Sequence, residues 1–100
     1  MTFDDFTATL ALEAPPEKLA ERPQGALLAA LWLDAKGDFD GSHRIAQDID
    51  TSDGARMHAY LHRKEGDLPN ARYWYRQAGV SPESGSLSAE WEALVRRFLG

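Results

Sequence analysis

Ala30-Leu31-Trp32-Leu33-Asp34-Ala35-Lys36-Gly37-Asp38-Phe39 and Ala59-Tyr60-Leu61-His62-Arg63-Lys64-Glu65-Gly66-Asp67-Leu68 carry one pattern twice, 29 residues apart. Each stretch reads as the end of a helix, then Gly-Asp, a bulky apolar residue and the start of another helix. Glycine supplies the permissive backbone of a tight turn, and the aspartate side chain accepts from the free amides opening the next helix. The pattern predicts a helical hairpin used twice, over 25–49 and 53–79.

Working outward, the helix of about Gln24 to Lys36 is apolar on most sides, as expected of an element at the centre of the packing. Its partner runs from Asp38 to about Ile49. Asp50-Thr51-Ser52-Asp53 opens a helix over Gly54–Glu65, and the next, Leu68–Ala78, ends at Gly79. Upstream, Phe3, Phe6 and Leu10 share one face of a helix over Thr2–Glu13, with Thr2 and Asp5 spaced as a capping box. Ala14-Pro15-Pro16 stops it, and Glu17–Glu21 can form one further helical turn. Downstream, Leu87, Trp91, Leu94, Val95 and Phe98 make an amphipathic helix over 86–99, read as a lid on the core. No segment alternates with period two. The fold expected is all-α, five to six helices in one domain over 1–100. Its buried residues should be Leu28, Leu31, Trp32, Phe39, Ile45, Leu61, Leu68, Ala71, Tyr75, Leu94 and Phe98.

With 43% hydrophobic and 27% charged residues, the chain falls among globular proteins and outside the disordered and membrane classes. It has no cysteine, which excludes disulfides, thiolate zinc sites, iron–sulfur clusters and cysteine nucleophiles. The start, Met1-Thr2-Phe3-Asp4-Asp5, carries acid where a secretion signal carries Lys or Arg, so the expected compartment is the cytoplasm. Residues 1–53 hold eleven acids against four bases, whereas 54–83 carry a net +2 from Arg56, Arg63, Lys64, Arg72 and Arg76. An acidic chain argues against nucleic acid as partner, since phosphate contacts supply most of that affinity.

The repeated hairpin resembles the tetratricopeptide repeat. In the second copy Ala59, Gly66, Leu68, Ala71, Tyr75 and Ala78 match the small residue, turn glycine and apolar ridge of that family. In the first, Ala30, Gly37 and Phe39 fit and Ser42, Ala46 and Ile49 fit loosely. The period of 29 is shorter than the family's, about 34. The resemblance implies a stack of helices of the kind often used to bind partner proteins, and no chemistry. The stretch His58-Ala59-Tyr60-Leu61-His62-Arg63-Lys64-Glu65-Gly66-Asp67, continued by Asn70-Ala71-Arg72-Tyr73-Trp74-Tyr75-Arg76-Gln77-Ala78-Gly79, also resembles a family of short uncharacterised microbial proteins, which implies no activity.

Two constellations carry chemistry. His58 and His62 stand four apart on one helix, so their rings leave the same face. His43 comes from the helix expected to pack there. Three imidazoles, with Glu65 or Asp67 near, can hold zinc or another divalent ion with one position open. The plainer alternative is that each ring is half-buried and donates to a carbonyl or carboxylate. The second constellation is Arg72-Tyr73-Trp74-Tyr75-Arg76, in which Tyr75 belongs to the core ridge, so Tyr73 or Trp74 must face a groove or an interface. His43, His58, His62, Arg63, Tyr73 and Trp74 are the candidate ligand-binding residues, and the three histidines the candidate metal ligands.

There is no phosphate-binding glycine loop, no Gly-x-Ser-x-Gly elbow and no His-Glu-x-x-His motif. The reading that follows is a non-enzymatic helical module binding a protein partner, a second copy of itself or a small polar ligand. The alternative is a small metal- or histidine-dependent enzyme built on His43, His58 and His62.

Overall fold

Five of the six α-helices of this chain start at a side chain that accepts from an amide of the first turn: Thr2, Asp38, Thr51, Asp67 and Ser86. In the computed structural model, which describes residues 1–100, the Thr2 hydroxyl accepts from Asp5 N while the Asp5 carboxylate accepts from Thr2 N. That capping box opens α1 (Phe3–Ala8), which tightens into a single 3₁₀ turn at Thr9–Ala11 instead of running on to Glu13. A second 3₁₀ turn, Glu17–Glu21, leads to α2 (Gly25–Ala35), followed by α3 (Phe39–Gln47), α4 (Ser52–Lys64), α5 (Leu68–Ala78) and α6 (Leu87–Leu99). The protein is all-helical, with six α-helices and no strand.

The two Gly-Asp turns are copies in three dimensions. Gly37 and Gly66 have φ of 88° and 83°, and Asp38 and Asp67 have φ, ψ of −96°, 74° and −90°, 76°. Asp38 N donates to Leu33 O and Asp67 N to His62 O, both at 2.9 Å. The repeat reaches further back than the sequence pattern suggests. Gly25 and Gly54, also 29 apart, each lie in the first turn of the first helix of a hairpin. A Cβ on either would strike the carbonyl of the approaching chain, at Leu19 and Ile49 respectively.

The core joins Leu27, Leu28, Leu31 and Trp32 of α2 to Met57, Tyr60 and Leu61 of α4 and to Leu94, Val95 and Phe98 of α6, with Phe6 of α1 beneath the lid. Ala71 and Tyr75 of α5 form a smaller cluster with Ala59. Three core expectations need correction. Phe39 and Ile45 are only half-buried, and Leu68 is 51% exposed. Phe39 has a following hairpin to pack against, whereas Leu68 opens the last helix of the last hairpin and has none. No helix is long and apolar enough to cross a membrane.

Two buried carboxylates tie α4 to its neighbours. Asp34 accepts from Tyr60 Oη at 2.6 Å and Lys64 Nζ at 2.7 Å. Glu90 accepts from Tyr75 Oη at 2.7 Å and an Arg63 guanidinium nitrogen at 2.8 Å. In each, a buried charge is paired with a cation and given a second donor, the condition under which burial is tolerable. Burial, reinforced by the carboxylate each phenol bonds to, pushes the Tyr60 and Tyr75 hydroxyls far above the ordinary tyrosine range.

A three-histidine candidate site

Thr51 caps α4 by accepting from Gly54 N, and this sets the phase that turns His58 and His62 toward α3. Asp38 sets the phase of α3 in the same way, through Gly41 N. The consequence is convergence: His43 Nε2 and His58 Nε2 lie 3.0 Å apart, and one donor nitrogen from each of the three rings falls within 4.8 Å of the others. His43 meets the other two rings edge-on, at centroid distances of 4.8 and 5.6 Å, while His58 and His62 stack at 4.8 Å.

Their hydrogen bonding is uneven. His62 Nδ1 lies 2.6 Å from Glu65 Oε1 and 4.0 Å from Asp67 Oδ2. A carboxylate only accepts, so this nitrogen carries a proton, and in the neutral ring Nε2 holds the lone pair. His43 and His58 have no carboxylate or carbonyl of their own at Nε2; each has the other. Burial, and next the neighbouring His62 and His43, push the His58 pKa down to about 4. A neutral His58 is the form that ligates a metal.

Trp74 of α5 lies over His58, with centroids 4.1 Å apart and planes 21° from parallel, and Phe39 lies along His43 at 6.1 Å and 15°. Sequence reasoning placed Trp74 in a separate aromatic run; only the crossing of α5 over α4 brings it to the histidines. Tyr73 packs edge-on to Trp74 at 5.0 Å but is 44% exposed, outside the cluster. Arg63 faces α6, where it donates to Glu90 and to the Gly85 carbonyl, away from the three rings. The signal for this pairing was readable, because Glu90 is a lone acid on the apolar face of α6, one turn before Leu94.

His58 and Trp74 also wall a cleft of about 300 Å³ whose polar lining comes from Gln47, Asp50, Thr51, Ser52 and Gln77. A larger cleft, of about 740 Å³ and lined by Met1, Asp5, Ala8, Lys18, Glu21 and Arg22, lies away from these rings. On α3, beside His43 in sequence, the fully buried Ser42 Oγ finds no partner. No protein-family model, curated protein or solved structure matches the chain.

Proposed function

We propose that the chain is a non-enzymatic helical module whose ligand site is the cluster of His43, His58, His62 and Trp74 with the polar cleft beside it, taking a small polar ligand or ion. The observation that carries this reading is the 3.0 Å contact between His43 Nε2 and His58 Nε2. Rings that only fill space are normally placed so that each nitrogen finds a carbonyl or carboxylate. Here the buried His58 and the half-buried His43, from different hairpins, face each other instead. The duplicated turns support a tetratricopeptide-like scaffold for this site, and the absence of cysteine suits a cytoplasmic address.

A protein partner is the version of the same reading supported by α5, where Leu68 and Tyr73 are exposed beside Arg72 and Arg76. The enzyme reading is supported by the cleft at His58, but a histidine with a pKa of about 4 is a weak general base at neutral pH. The test of the ligand site is resonance by resonance. The Trp74 indole and the histidine rings of ¹⁵N-labelled protein are followed during separate titrations with sodium phosphate, sodium acetate and zinc chloride. At least one probe should shift His58 and Trp74 together in a saturable way; silence of both toward all three would overturn the reading.

A further inference from the structure

We propose that His43, His58 and His62 bind one divalent transition metal of the zinc type through Nε2 of each ring, an inference that rests on the ligand-site reading above and names its ligand. Zinc–imidazole bonds run about 2.0–2.1 Å, so two ligands on a tetrahedral ion stand roughly 3.3 Å apart. The His43 and His58 nitrogens, at 3.0 Å, already stand near that separation. The third donor lies within 4.8 Å of the others, so each of its separations exceeds that spacing by no more than about 1.5 Å. A small side-chain rotation closes the difference, and Glu65, 41% exposed, is free to follow His62.

The donor chemistry selects the ion. Three imidazoles with no oxygen donor in the set suit zinc, nickel or copper and do not suit magnesium or calcium, which take oxygen ligands. The hydrogen bond from His62 Nδ1 to Glu65 is the outer-sphere arrangement found behind metal-bound histidines, orienting the ring and raising its basicity. Without metal, the contact between His43 and His58 requires one ring to carry its proton on Nε2 and donate to the other. Metal binding moves that proton to Nδ1, frees both Nε2 lone pairs and, for neutral rings, releases no proton to solvent. Three protein ligands leave the fourth position to water.

One ligand comes from the first hairpin and two from the second, so a chain whose hairpins have separated cannot assemble the set. Binding to the folded state alone raises its stability in proportion to the logarithm of metal concentration.

The test uses full-length protein without a histidine tag, zinc chloride as probe, equilibrium dialysis with metal quantification, and ¹H–¹⁵N correlation of the imidazoles. One zinc per chain is expected, with Nε2 of all three rings shifted and the melting temperature raised. His43→Ala and His62→Ala should each weaken binding by at least about 100-fold, and Glu65→Gln by about 10–100-fold, the range typical of an outer-sphere partner. Magnesium chloride at the same concentration should not be retained. His43 and His62 are only half-buried, so these variants are checked for native helix content by circular dichroism. Failure to retain zinc, or affinities within twofold of wild type in both histidine variants, overturns the proposal. If zinc fails while phosphate or acetate still moves His58 and Trp74, the metal is wrong and the ligand site stands; if nothing moves them, both fall.

Discussion

On the sides of α4 that meet α2 and α6, Tyr60 and Lys64 close on Asp34 while Arg63 reaches, with Tyr75, to Glu90; on the side that meets α3, His58 and His62 face His43. Both regions bury polar groups between helices, yet they are finished to different degrees. Each carboxylate has a cation and a phenol, so charge and donors balance. The histidine side assembles three bases whose nearby acids, Glu65 at 2.6 Å and Asp67 at 4.0 Å, both sit on His62, and two of its nitrogens have nothing but each other. A completed network fixes helix positions, whereas an incomplete one is costly unless something else completes it. The contrast separates what holds this fold together from what the fold holds out to a ligand.

The comparison breaks most visibly at Glu90. Glu90→Ala strands the Arg63 charge and the Tyr75 hydroxyl and should cost about 3–5 kcal/mol in urea unfolding, with zinc affinity unchanged in the folded fraction. A loss below about 1 kcal/mol would mean that the carboxylate pairs with solvent. Beneath both regions, Leu61 is fully buried, and Leu61→Ala should remove about 2–5 kcal/mol.

On the histidine side the effect is smaller and depends on pH. Folding lowers the His58 pKa from 6.5 to about 4, so between these values the unfolded chain binds more protons. For metal-free protein this group makes stability fall as pH drops from about 6.5 toward 4, by on the order of 2–3 kcal/mol in all, and adds no slope above that window. His58→Leu should leave stability at pH 7 within about 1 kcal/mol of wild type and flatten this acid limb. An unchanged limb in chemical denaturation at pH 7 and pH 4.5 would assign it to other groups. The smallest effect sharpens the same contrast: Ser42→Ala removes a buried hydroxyl without a partner and should be neutral or stabilising by up to about 1 kcal/mol, read from the urea midpoint.

Much of this architecture was legible because it is local. Gly-Asp turns, Thr and Asp caps and the glycine after α5 act within four residues, and the structure places them as the sequence suggested. The meeting of the three histidines followed from helix phase and the order of the hairpins. What was not legible depends on how helices cross. Trp74 over His58, Arg63 turned to Glu90, and Leu68 left at an unpaired end are each settled by which neighbour an element has. A period of 29 says that a unit recurs without saying what flanks its last copy.

The three indoles fall on three different joints. Trp32 Nε1 donates to Thr9 O, where α2 meets the N-terminal turns, and Trp91 Nε1 donates to Leu31 O, where the lid meets α2. Trp74 covers His58. The intrinsic fluorescence of this protein is therefore three signals superposed, one from each seam of the fold. Forms that keep one tryptophan at a time would show the order in which those seams open, with the Trp74 emission alone answering to whatever occupies the histidines.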